Sequence, residues 1–239
     1  ALKTVTGTLI IADAKTLTLP NLEKADAIDA EAATTFSAEK LVVSANVSLT
    51  AAKEITLAST NQNFLKIVDV VETITLTELK STFVADGFEA LETLNVTGKV
   101  PAEKDVTEGS VTYGVSANDA NSLKTVSLDG ALGYISFVEN DELESITRAG
   151  HIISCSIEEN DNLKTVKFGY SFLKGELANI IRVLGNDELT EVDLTAVQKI
   201  KTLTITDNEE LASIKVGSPD VLAEPSTPIA FLVNSNKLP

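Results

Sequence analysis

The second half of the chain repeats one pattern of apolar and polar positions four times. Each repeat is centred on an asparagine, and the four are Asn140, Asn160, Asn186 and Asn208. Apolar residues occur five and three positions before each asparagine and three and six positions after it, whereas the residue four positions before it is always polar. This alternation predicts a strand with one buried face. Each repeat is therefore predicted to contain a short strand, a turn at the asparagine and a second apolar segment.

The spacing of the repeats predicts the fold. The four asparagines are 20, 26 and 22 residues apart, which is typical of the coils of solenoid proteins. A single coil cannot bury its apolar side alone, so neighbouring coils must stack. Most links are too short for a helix, although the link from Gly169 to Asn179 has room for one helical turn. We predict a mainly β fold, a right-handed β-solenoid with short parallel strands, coils of about 20–26 residues and few helices.

Stacking also predicts a role for the four asparagines. At the end of a strand, asparagine tolerates a left-handed backbone conformation, and its side chain can bond to the backbone. Because each coil lies against the next, the amide of one asparagine would meet the amide of the following one or a neighbouring carbonyl. We predict a structural asparagine ladder along one corner of the solenoid.

The pattern divides the chain into three parts. It is regular over residues 111–216 and degenerate over residues 1–110, where apolar positions still alternate in short segments. We interpret residues 1–110 as further coils of the same solenoid, with a cap or a separate domain as the alternative. Residues 217–239, which contain the sequence PSTP, are predicted to form a C-terminal cap or tail.

The repeated phrase carries a family resemblance. Asn-Asp/Glu-x-Leu-x-x-Ile/Val, preceded by an Ile-x-Phe/Val/Ile strand, resembles the repeats of receptor L-domains and of leucine-rich-repeat surface proteins common in Bacteroidales-type bacteria. The resemblance implies a leucine-rich-repeat-like solenoid that is exported, non-enzymatic and used for adhesion or partner binding. The chain lacks the cysteine-rich caps of the first group and the glycine-rich, cysteine-bearing corner of the second. No binding residues are therefore transferred from either group.

The net charge of the chain limits the classes of partner that it is expected to bind. The chain has 35 acidic and 19 basic residues and a net charge of −16. Nucleic acids and anionic membrane surfaces both select basic proteins, so neither partner is favoured.

No apolar run reaches the roughly 18–20 residues that cross a bilayer. Because the pattern already begins at Leu2, we expect a mature region without its signal peptide, a location outside the cell or on the outer membrane, and a monomer.

Catalytic chemistry has little support in the sequence. Cys155 lies in an apolar column of the repeat, which predicts a buried small side chain. The single histidine, His151, is four residues away, or about 13 Å along a strand, which is too far for a catalytic pair. The chain has no Trp to stack against sugar rings. A polysaccharide-processing enzyme is therefore the least favoured of three functions.

The outward positions of the predicted strands give the candidate binding surface. These positions carry Tyr134, Ser136, Ile180, Arg182, Leu184 and Thr204. A small apolar and basic patch on an acidic protein is typical of an interface. The alternative is that the 26-residue coil is out of register, which would bury Ile180.

Acidic residues directly after the asparagines provide a second candidate site. Asp141, Asp161 and Asp187 would stack about 5 Å apart, and hard oxygen ligands of this kind bind Ca²⁺. The favoured interpretation is a solvated ridge of turns around the asparagine ladder, with no cofactor.

Two functions stay open on these observations. The first is a non-enzymatic interaction module that binds an unidentified protein or glycan at the cell surface through the sheet face. The second is a structural spacer or surface-layer element without a dedicated ligand, which the many Ser, Thr and Lys residues on the strand faces also fit.

Overall fold

In the computed structural model, the described residues are 2–43, 47–60, 70–98, 113–130, 132–149, 152–168, 179–197, 200–216 and 230–234. They form β-strands and turns, and no helix occurs among them. The strands of the first part are β1 (Thr4–Ile10), β2 (Thr16–Thr18), β3 (Lys24–Asp29), β4 (Thr35–Val43), β5 (Val47–Ser48), β6 (Glu54–Thr60), β7 (Thr73–Leu76), β8 (Phe83–Val84) and β9 (Thr93–Thr97). Those that follow are β10 (Val115–Ser116), β11 (Thr125–Asp129), β12 (Leu132–Val138), β13 (Ser145–Ala149), β14 (Ile152–Glu158), β15 (Thr165–Lys167), β16 (Asn179–Leu184), β17 (Glu191–Leu194), β18 (Ile200–Thr206), β19 (Ser213–Val216) and β20 (Ala230–Asn234).

The strands form two parallel sheets. The first sheet has the order β1-β3-β4-β6-β7-β9-β11-β13-β15-β17-β19, with β2 also on β4 and β5 also on β3. The second sheet has the order β20-β18-β16-β14-β12-β10-β8. From β8 onward the chain alternates between the sheets, so each coil adds one strand to each. Paired residues lie about 20 positions apart, for example Thr125 beside Ser145. The predicted mainly β, parallel solenoid is confirmed.

Both ends of the chain contribute strands to these sheets. Strands β1 to β7 and β9 belong to the first sheet together with the strands of the regular repeats. At the other end, β20 pairs in parallel with β18, within the segment predicted as a cap or tail. The three predicted domain boundaries stay a prediction. Residues 169–178, where a helical turn had room to form, lie outside the described residues.

The core lies between the sheets and follows the predicted apolar columns. Leu143, Leu163, Leu189 and Leu211 are fully buried, and each lies three residues after a ladder asparagine. Cys155 is 1% exposed and packs in the same apolar cluster, which confirms that it is a buried small side chain. The opposite faces of the strands point away from the core. His151 lies outside the described residues.

Candidate functional site

The four repeat asparagines form a continuous buried ladder, as predicted. The Nδ2 of Asn140 donates to the Oδ1 of Asn160 at 2.9 Å, and the next two amide pairs, which end at Asn186 and Asn208, are both at 3.0 Å. Each accepting Oδ1 also receives the backbone N–H of the preceding asparagine at 3.1–3.2 Å. All four side chains are 0% exposed. Buried amides that satisfy one another in this way fix the register of one coil on the next.

The left-handed residue at each corner is the one before the asparagine. Glu139 and Glu159 have φ of 55°, Asp207 has φ of 60° and Gly185 has φ of 61°. The sequence-based expectation that asparagine itself could take this conformation was therefore wrong. The chain turns one residue earlier because the asparagine side chain must point inward to join the ladder.

The same corner continues into the N-terminal part with apolar residues. Ala30, Leu49, Phe88 and Ala120 each accept the backbone N–H of the residue three positions later, as the ladder asparagines do. All four are at most 1% exposed. The search for repeated asparagines did not predict this equivalence. The usable signal was a pair of apolar residues three positions apart, which recurs in each of these coils. The backbone N–H of Ala120 donates to the Oδ1 of Asn140 at 3.0 Å, so the described ladder begins there.

Acidic side chains line the outside of this corner. A hydrogen bond with Asp119, and then the negative charges of Asp119 and Glu159, raise the pKa of Glu139 above its ordinary value. Asp141, Asp161 and Asp187 lie in successive turns of this ridge, and all three are exposed. Within the described ranges, no group of three or more His, Cys, Asp or Glu side chains is arranged to hold a metal ion. The calcium candidate therefore gains no support from the geometry.

The second sheet brings the candidate binding residues onto one outward face. Its register forms one row of Tyr134, Ser154, Ile180 and Thr202, a second of Ser136, Ser156, Arg182 and Thr204, and a third that includes Glu158 and Leu184. Ile180 is 37% exposed and Tyr134 is 36% exposed. The 26-residue coil is thus in register, and the alternative that buried Ile180 was wrong.

The first row presents two large side chains with a small one between them. Tyr134 and Ile180 lie on strands that both pair with β14, one on each side of Ser154. With neighbouring strands about 4.8 Å apart, the two backbones are about 10 Å apart. The ring of Tyr134 packs over Gly114, where an added Cβ would lie 2.5 Å from the ring Cδ1, so the ring covers the side of Tyr134 away from Ser154.

The charge of this face differs from the predicted basic patch. The Nε of Arg182 lies 3.3 Å from the Oε1 of Glu158, whose side chain is 24% exposed, and the Oγ of Ser156 also donates to that carboxylate. The patch is therefore apolar with one neutralised ion pair. The structure also adds Leu232, which is 51% exposed and pairs with Thr204. The apolar run around residues 230–233 was a signal for this strand, but the segment was interpreted as a cap or tail.

Comparison of the chain with protein-family models, with curated proteins and with solved structures finds no match in any of the three. The described residues contain no helix that is long and apolar enough to cross a membrane.

Proposed function

We propose that the protein is a non-enzymatic interaction module that binds a protein or glycan partner through the outward face of the second sheet. The observation that carries the proposal is the cluster of exposed large side chains on one face, Tyr134, Ile180 and Leu232, around the ion pair of Arg182. Aromatic, aliphatic and arginine side chains grouped on a sheet are typical of the central contacts of an interface. We call this surface the second-sheet patch.

The chemistry of the second-sheet patch indicates what the partner must offer. The apolar side chains favour an aliphatic or aromatic group that packs against Tyr134, Ile180 and Leu232. The pair of Arg182 and Glu158 can exchange its internal contact for an acceptor and a donor on the partner, at small cost because exposed ion pairs contribute only about 0–1 kcal/mol. A strongly basic partner would contact the acidic ridge instead of this patch.

The resemblance to bacterial leucine-rich-repeat surface proteins and to receptor L-domains supports the same proposal. Members of those groups are exported and bind partners without catalysis. We therefore place the protein outside the cell or on the outer membrane, where a stack of coils can present the patch to its ligand. The −16 net charge is consistent with a surface that stays solvated there.

A structural spacer without a dedicated ligand is the second candidate. It is favoured by the long parallel first sheet and by the buried asparagine ladder, which together stiffen the stack of coils. A spacer predicts that deletion of the chain changes envelope integrity or the display of neighbouring domains and leaves adhesion unchanged.

A binding screen of the purified protein on glycan and extracellular-matrix arrays, with Ca²⁺ and again with EDTA, separates these functions. We expect saturable binding that Arg182→Glu and Tyr134→Ala each weaken about tenfold or more, as truncation of central interface residues does. Lys167→Glu on the first sheet is the matched charge reversal and should bind normally. Absence of saturable binding in both conditions would replace the interaction module with the spacer. Loss of binding in EDTA alone would assign a calcium role to the acidic ridge.

A further inference from the structure

The first sheet carries a regular array of hydroxyl groups on its outward face. Register pairs successive strands so that one row reads Thr16, Thr35, Glu54, Thr73, Thr93, Thr125, Ser145 and Thr165. The second row, two residues further along each strand, reads Thr18, Ser37, Thr56, Thr75, Asn95, Ser127, Thr147 and Lys167. Seven of the first eight positions and six of the second eight are Thr or Ser, the exceptions being Glu54, Asn95 and Lys167. We call these two rows the hydroxyl array.

The hydroxyl array has a fixed spacing in two directions. Neighbouring strands of a parallel sheet are about 4.8 Å apart, and residues two positions apart along a strand are about 6.6 Å apart. The backbones set this spacing, and hydrogen bonds between side chains on neighbouring strands hold some of the array in place: the Oγ1 atoms of Thr93 and Thr125 are 3.3 Å apart, and the Nδ2 of Asn95 lies 3.4 Å from the Oγ1 of Thr75. The pairing of β9 with β11 carries the lattice directly from Thr93 to Thr125. The array is thus an ordered grid that repeats along the solenoid.

The charge of the array limits what it can bind. The protein has a net charge of −16, yet Glu54 and Lys167 are the only charged members of the sixteen array positions. A charged polymer would find little there to pair with. No array position is aromatic, although sugar rings usually stack on aromatic side chains. The surface therefore fits an occupant that is neutral, forms hydrogen bonds and repeats in two dimensions.

We propose that the hydroxyl array binds the surface of crystalline water, that is, ice. Each hydroxyl donates one hydrogen bond and accepts others, so it can replace a water molecule at a lattice position. Waters that bridge these hydroxyls are enthalpically nearly as good as direct hydrogen bonds, and immobilising each one costs about 0–2 kcal/mol. Each contact is weak, but many that engage at once on a rigid surface add up to tight attachment. A dissolved molecule offers no matching grid, whereas an ice face repeats over the whole array.

The test uses the purified full chain in ice-affinity partitioning and in thermal hysteresis measurements. We expect the protein to be enriched in slowly grown ice, to separate the freezing point from the melting point, and to shape the crystals. Ser145→Lys places a charged side chain within the array, between Thr125 and Thr165 at the seventh of the eight positions of the first row, and should lose most of the hysteresis. Ser145→Thr should retain it, because the hydroxyl stays.

Ser213→Lys is the matched control. Ser213 belongs to the same row and sheet but lies beyond Thr165 and Glu191, outside the array, so the same substitution there should leave hysteresis unchanged. Circular dichroism and a thermal melt on each variant identify any loss caused by unfolding. The proposal is overturned if the parent chain is excluded from ice, or if the folded Ser145→Lys and Ser213→Lys variants lose hysteresis equally. Binding to insoluble cellulose or chitin that Ser145→Lys abolishes, with no effect on ice, would assign the array to a polysaccharide instead.

Discussion

Replacing Asn160 with alanine removes an internal rung of the asparagine ladder and should lower the free energy of unfolding by about 3 kcal/mol. The side chain makes contacts in two directions. Its Oδ1 accepts the backbone N–H of Asn140 at 3.2 Å and the Nδ2 of Asn140 at 2.9 Å. Its own Nδ2 donates to the Oδ1 of Asn186 and to the carbonyls of Phe137 and Glu158, each at 3.0 Å. All of these contacts are out of reach of bulk water, because Asn160 is 0% exposed.

The magnitude follows from the groups that lose a partner. Truncation takes the Oδ1 acceptor away from two donors of Asn140, and a buried group left unsatisfied costs about 1–3 kcal/mol. The loss is reduced because the Nδ2 of Asn140 still donates to the carbonyl of Val138, and the Oδ1 of Asn186 still accepts the backbone N–H of Asn160. The backbone N–H of Asn140 therefore loses its acceptor outright, and the Nδ2 of Asn140 and the carbonyl of Phe137 each lose one contact, for a total of about 3 kcal/mol.

Denaturant unfolding followed by far-UV circular dichroism measures this loss, since the chain has no Trp for fluorescence. Asn162→Ala is the matched control: it makes the same chemical change two residues away, where the half-buried Nδ2 donates to the carbonyl of Asp141. We expect the control to cost about 1 kcal/mol or less. Equal stability of the two variants would show that the buried amide contacts of Asn160 do not stabilise the fold. Asn160→Asp should be worse than Asn160→Ala at neutral pH, because it buries a carboxylate beside carbonyl oxygens.

Two further predictions concern the residues just before the ladder. Gly185→Ala should lower the free energy of unfolding by about 1–2 kcal/mol, because φ is 61° there and a residue with a Cβ is strained in that left-handed conformation. Gly185→Asn should cost less, because asparagine tolerates this conformation better. The melting temperatures of the two variants measure the difference. For Glu139, the hydrogen bond with Asp119 and the charges of Asp119 and Glu159 raise its pKa in the folded state, so the folded chain holds the proton more tightly than the unfolded chain. Its contribution to stability is fully present below the ordinary pKa of 4.5 and is lost as the pH rises through the raised value. Glu139→Gln should therefore reduce the fall in melting temperature between a pH below 4.5 and neutral pH; an unchanged fall would show that this carboxyl does not titrate with folding.

The repeat of the sequence was enough to predict the stacked coils and the ladder. Identical residues at a constant spacing must meet when the coils stack, so Asn140 and Asn160 could be placed in contact without coordinates. The alternation around Cys155 likewise predicted a buried position, because a strand with one covered face has only two directions for its side chains. The same logic placed Tyr134 outward.

The contents of the second-sheet patch could be predicted only in part. The position of Arg182 on the outward face followed from the alternation, but its pairing with Glu158 did not, since the two residues are 24 positions apart and meet through strand register. Leu232 belongs to the patch because β20 pairs with β18, and β20 lies beyond the regular repeats of residues 111–216. Contacts of this kind need the lengths and paths of the links, which a local pattern does not specify.

The sequence by itself determined the period, the buried columns and the ladder, because each depends on which residue types recur at a fixed interval. The tertiary structure decided which residue turns each corner, how the 26-residue coil keeps Ile180 in register, and how the rows from Thr16 to Thr165 align into one array. Those features depend on hydrogen bonds between neighbouring strands, and the bonds a strand makes are settled only when the whole coil before it is in place.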